Sequence, residues 1–167
     1  MSYFSLMFWS EEELDREGLL QRFEAESASD ALGFYSWAAL EMLLIEYLEA
    51  EELSMAERVV DHARYLYAGD PRLHLLHSYL ALERNNLAEA HAHIQKAFQL
   101  TVPDPAVYEQ YVQVLVRLRR YEEAYGLLEA YEETFPEAAR EIWRYGIELF
   151  EEGKAQSQVK RAAWRGL

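Results

Sequence analysis

Apolar residues recur along most of this chain at the three- and four-residue intervals of an amphipathic helix, and strand-like alternation is absent. From Pro71 the run Leu75, Leu76, Tyr79, Leu80, Leu82 predicts a helix to about Glu83. Arg84-Asn85-Asn86 reads as a turn, and Leu87, Ala90, Ile94, Ala97 and Phe98 predict a second helix. The same plan follows from Pro105: Tyr108, Tyr111, Leu115 and Leu118, a turn at Arg119-Arg120, then Tyr121, Ala124, Leu128 and Tyr131. Before Asp70 the pair is marked by Leu40, Leu43 and Tyr47, then Leu53, Ala56, Val60 and Ala63. After Pro136 come Ile142, Tyr145, Gly146 and Leu149, a break at Gly153 and a final helix to about Trp164. Ser10 and Glu13 form a capping box opening a helix over 10–26, which Ser27-Ala28-Ser29-Asp30 breaks. A further helix from Ala31 is expected to run through Trp37 into the first pair.

These pairs share one register. Ala56, Ala90 and Ala124 lie 34 residues apart, as do Leu53, Leu87 and Tyr121, and His77, Tyr111 and Tyr145. Asp70-Pro71 and Asp104-Pro105 keep the same interval, with each Asp suited to the N-cap and each Pro to the first helical position. A fixed period of this length signals one supersecondary unit copied and stacked. Gln158 stands where the alanines would continue, a more polar terminal helix as a stack needs at its end.

Paired helices of about 14 residues with small residues at recurring contacts resemble the tetratricopeptide repeat family. The resemblance is carried by Ala56, Ala90 and Ala124, by Ala63 and Ala97, and by Leu53, Leu87 and Tyr121. Gly146, and less well Ser78, matches the family's small residue in the middle of the first helix, where Leu44 and Val112 stand in the other copies. The likeness covers residues 37–152 and implies an all-α, right-handed solenoid of antiparallel helix pairs with an N-terminal capping helix. Its divisions would be an aromatic segment and capping helix over 1–36, repeats over 37–70, 71–104 and 105–138, and the start of a fourth at 139. Residues 154–167 would form a basic capping helix of the same single domain. Size, acidity and a helical segment ahead of the repeats are also similar to the type III secretion chaperones that hold translocators, although no motif carries that second likeness.

The family implies a peptide or helix segment held on the face formed by the first helix of each pair. Projecting the periodicity places Ile45, Leu48, Arg72, Leu75, Tyr79, Leu82, Arg140, Trp143, Arg144, Ile147 and Phe150 there. The apolar members would supply contact area, and Arg72, Arg140 and Arg144 would orient acidic groups of the partner. Leu75 and Leu76 have two readings, groove lining or core between neighbouring helices. One subset of the family clamps acidic chaperone tails through Lys, Asn and Arg. The matching places here carry Glu41, Ile45, Leu76, Ala106 and Gln110, so that clamp is absent.

The chain has 167 residues, enough for one domain with a substantial core. Its 30 acidic and 16 basic side chains give a net charge of −14, which disfavours a phosphate backbone as partner. Lys154, Lys160, Arg161 and Arg165 are exceptions, grouped near the C-terminus without an acid, and read more simply as complementing the acidic body than as an anion site. No cysteine is present, so disulfide and thiolate chemistry are excluded. His74 and His77, three apart, and His62, His91 and His93 form a weak metal pattern that packing explains better, because His77 shares its register with two tyrosines. No phosphate-binding glycine loop, nucleophile elbow or zinc-protease signature occurs.

The stretch holding Phe4, Phe8 and Trp9 has no preceding basic residue and meets Glu11-Glu12-Glu13, unlike a signal peptide, and it is too short to span a bilayer. It could cap the stack, mediate self-association or occupy the groove. The expectation is a cytoplasmic, non-catalytic adaptor or chaperone that binds a protein partner without cofactor, nucleic acid or membrane insertion. The alternative is a structural subunit or homodimer joined through the N-terminal aromatics or end helices.

Overall fold

Side-chain oxygens set several helix starts. Ser36 Oγ accepts from Ala39 N at 3.2 Å, Asn86 Oδ1 from Glu89 N at 3.2 Å and Asp104 Oδ1 from Ala106 N at 2.8 Å. The computed structural model describes residues 16–165. Among them are α1 (Arg16–Ala28), α2 (Trp37–Glu49), α3 (Leu53–Leu66), α4 (Leu73–Glu83), α5 (Leu87–Leu100), α6 (Pro105–Arg117), α7 (Tyr121–Thr134), a 3₁₀ turn (Pro136–Ala138), α8 (Ala139–Glu152) and α9 (Gln156–Arg165). No strand occurs among the described residues, and helices pack in consecutive pairs, with α2 on α3, α6 on α7 and α8 on α9. The N-terminal capping box and Phe4, Phe8 and Trp9 lie outside the described residues.

The turns within these pairs share one backbone solution. Glu51, Asn85 and Arg119 take φ of 58°, 56° and 59°, again 34 residues apart, and Lys154 follows at 59°. At each, the next amide bonds back across the helix end, as in Glu52 N to Tyr47 O at 2.8 Å and Arg120 N to Leu115 O at 2.9 Å. A left-handed conformation costs an L-residue about 1–2 kcal/mol, whereas glycine adopts it freely but loses more entropy on folding. Glu51 is exposed, so Glu51→Gly should stabilise the protein by about 0.5–1 kcal/mol. An unchanged or lowered urea midpoint would contradict this.

The start of α4 differs from expectation. Asp70 Oδ1 does accept from Arg72 N, at 2.9 Å, but its carboxylate also grips the Arg72 guanidinium at 2.7 Å. Pro71 and Arg72 form a turn, and the α-helix begins at Leu73. The helix expected from Ala31 is also absent, and residues 31–36 are irregular. Side chains take the carbonyls that a helix would use: His62 bonds Gly33 O at 2.7 Å, Arg22 donates to Phe34 O at 2.9 Å, and Tyr67 donates to Tyr35 O at 2.9 Å.

The chain divides within α4 into two compact units, residues 1–76 and 77–167. In the first, Phe23 of α1 meets Tyr35 and Tyr47 at ring distances of 5.5 and 6.0 Å, and Leu40, Leu43, Leu44, Ala56 and Val60 are buried. In the second, Ser78 Oγ donates to Ala90 O at 3.0 Å and accepts from Gln110 Nε2 at 3.1 Å, a buried link among α4, α5 and α6. Val112, Leu115, Ala124, Leu128, Ile142, Trp143 and Phe150 are among the buried residues of its core. Gly146 lets α8 approach α7 closely, since a Cβ there would fall 2.6 Å from Leu128 Cδ1. No described helix is long and apolar enough to cross a membrane.

Candidate functional site

The residues projected onto the groove separate by burial. In the first unit Ile45 is exposed, Leu48 is half-buried, and Leu75 is buried. Arg72 is exposed but engaged, paired with Asp70 and lying 4.4 Å over the Trp37 ring. Its guanidinium is held above its ordinary pKa by the Asp70 hydrogen bond, and the Asp70 carboxyl is held down by the same bond. In the second unit Tyr79 and Ile147 are half-buried, Leu82 is buried, and Arg140 and Arg144 are exposed.

Trp143 and Phe150 are the clearest corrections. Both are fully buried. The Trp143 ring lies 5.1 Å from Tyr125, its Nε1 donates to Glu132 Oε2 at 2.8 Å, and Arg165 of α9 sits 5.2 Å over it. Phe150 stacks on Tyr125 at 6.4 Å. Packing of α9 beside α8 makes them core residues rather than partner contacts. Leu75 and Leu76 belong to the buried set, so of their two readings the core one holds, and Leu82, projected as groove lining, is corrected to buried as well. Gln110, at one of the places that match the family's clamp, is buried in the link to Ser78.

An accessible apolar surface appears elsewhere, wholly within the second unit. Helices α5 and α7 flank a cleft of about 420 Å³ floored by α6. Phe98, Tyr111, Leu115, Leu127 and Ala130 give its apolar lining, and Gln95, Gln99 and Glu123 its polar edge. Phe98 meets Tyr108 and Tyr111 edge-on at 5.2 and 5.5 Å, which fixes the aromatic floor. Gly126 opens the α7 wall, with nothing within 4 Å of where its Cβ would lie. The sequence marked Phe98 and Tyr111 only as packing positions. The available signal was Gly126, a glycine inside an otherwise regular helix.

A polar knot closes one side. Arg120 donates to both Glu123 oxygens at 2.7 and 2.6 Å and contacts His91 Nε2 at 3.1 Å. The Arg120 hydrogen bond lowers the Glu123 carboxyl, whereas burial and then Arg120 lower His91, leaving a neutral imidazole against Tyr111 at neutral pH. Burial pushes the Tyr111 hydroxyl up. None of these groups is poised against a second as nucleophile and base. His77 and His93 stack at 5.0 Å, and His62 is committed to Gly33. Among the described residues no three His, Cys, Asp or Glu side chains are placed to share a metal.

The basic C-terminal group is divided. Arg161 pairs with Glu122 at 2.8 Å, and Arg165 pairs with Glu129 and Glu132 at 2.7 and 2.9 Å, complementing the acidic α7. Gln158, in the alanine register, donates to Glu122 at 2.7 Å. Comparison of the chain with protein-family models and with curated proteins gives no match.

Proposed function

We propose that the chain is a non-catalytic protein-interaction module, a tetratricopeptide-like array of helix pairs that holds a peptide or helix segment of another protein. The recurrence of helix starts and left-handed turn residues every 34 residues supports the array. The observation that carries the binding role is the open, aromatic-floored cleft beside Gly126. Its volume lies within the usual ligand-pocket range, and its apolar floor with a polar edge suits the apolar side chains of an amphipathic segment. This reading moves the partner from the face with Trp143 and Phe150 to the side of α5 and α7.

Gly126 supplies the test. Because its Cβ position is empty, Gly126→Ala should stabilise α7 by about 1 kcal/mol, through helix propensity alone. Gly126→Trp should keep the fold while its indole fills the cleft. Peptides selected from a random display library against the native protein should then lose at least roughly tenfold in affinity for the Trp variant. Equal affinity for both proteins would refute the assignment. A second reading, self-association through the end helix, is favoured by Trp164, which is 81% exposed on α9. It predicts a dimer by light scattering that Trp164→Ser converts to monomer.

A further inference from the structure

We infer that a second cleft, between the α6–α7 turn and the C-terminal end of α8, is an anion site for the carboxylates of an acidic peptide segment. It measures about 280 Å³ and brings together Arg117, Arg119 and Lys154, with Gln113 and the single carboxylate of Glu152. That local balance opposes the chain, in which acids outnumber bases 30 to 16. Nearby cations are matched to acids, as in Arg120 with Glu123, Arg161 with Glu122, and Arg165 with Glu129. Among the described residues no ion pair engages Arg117, Arg119 or Lys154, and Arg117 makes only a neutral contact, to Asn85 Oδ1 at 3.0 Å. Three cations around one cleft that holds a single carboxylate leave a local positive excess that an anion would offset.

The frame holding them is fixed. Tyr121 Oη donates to Gly153 O at 2.7 Å, tying the two turns together. Gly153 permits that approach: a Cβ there would fall 3.0 Å from Val116 and 3.1 Å from the Tyr121 ring. Arg119 and Lys154 follow as the left-handed residues that close α6 and α8, with their amides bonded to Val116 O and Glu151 O at 2.9 and 3.0 Å. The backbone that carries Arg119 and Lys154 is therefore set before a ligand arrives.

The chemistry favours carboxylate. Arg117 and Arg119 offer planar forks that match a carboxylate bidentately, as they would a phosphate, so the discrimination lies in the length of the anion. The surrounding charge of −14 repels a long polyphosphate chain, whereas a short acidic stretch places its charge within the cleft.

The test is an amide NMR titration of the intact protein with a tetraglutamate peptide, a tetraglutamine peptide and inorganic phosphate. Tetraglutamate should give saturable shifts at Gly153, Lys154 and Arg119 that fade at about 0.5 M salt. Arg119→Gln with Lys154→Gln, both exposed, should leave the melting temperature unchanged and weaken binding roughly tenfold. Glu152→Gln, which removes the opposing charge, should tighten it about threefold. Absence of saturable shifts, equal response to tetraglutamine, stronger response to phosphate, or unchanged binding by the double variant would each overturn the proposal. Gly126→Trp should leave this titration unchanged, so failure of one cleft is distinguishable from failure of the other.

Discussion

Trp143→Ala should destabilise the protein by about 3–5 kcal/mol, the range for removing a fully enclosed indole. The loss combines contact with Tyr125, the cavity left between α7 and α8, and the hydrogen bond to Glu132. Trp143→Phe should cost less, about 1–2 kcal/mol, because a ring still fills the space and Glu132 keeps Arg165 at 2.9 Å. Urea unfolding followed by helical circular dichroism measures both. A partner-contact role predicts the reverse pattern, near-native stability with lost binding, and that pattern would remove Trp143 from the core.

Glu26→Gln should cost about 1.5–3 kcal/mol at neutral pH, the second largest effect expected, because it removes a charged acceptor. Its carboxylate accepts from Tyr35 Oη at 2.5 Å, Gly33 N at 3.1 Å and Arg22 Nε at 3.0 Å, fastening the irregular segment 31–36 to α1. Burial opposes the charge and pushes the carboxyl up, but the Tyr35, Gly33 and Arg22 hydrogen bonds outweigh it, and the pKa falls below the ordinary 4.5. With the folded value depressed, the stabilisation is complete above the unfolded pKa and disappears as pH falls through the folded value. The gap between native protein and variant should therefore be full at pH 7 and shrink below about pH 4.5. A gap that is constant with pH would show that the charge contributes nothing.

Much of the helix pattern was legible because it depends on local periodicity and turn chemistry. The starts of α3, α5 and α7 at Leu53, Leu87 and Tyr121, and of α6 at Pro105, follow from the apolar register and the Asp104 cap. Residues 31–36 were misread because the groups that keep them irregular, His62 and Tyr67, come from α3 and the residue after it, remote in sequence. The site was less legible. An α8 helix with Trp143 and Phe150 on one face looks the same whether a partner or α9 covers it, and only the packing of α9 decides. The α5–α7 cleft depends on which side chains leave space rather than which fill it. Gly126 records that space in the sequence, but a glycine does not reveal whether a neighbour occupies it.

The most direct test of the interaction-module account is the set of intermolecular NOEs between a library-selected peptide and the native protein labelled at its aromatic and methyl groups. The account predicts contacts from the peptide's apolar side chains to Phe98, Tyr111 and Leu127, with none to Ile45 or Leu48. Contacts confined to Ile45 and Leu48, or the absence of any peptide that binds saturably, would contradict it.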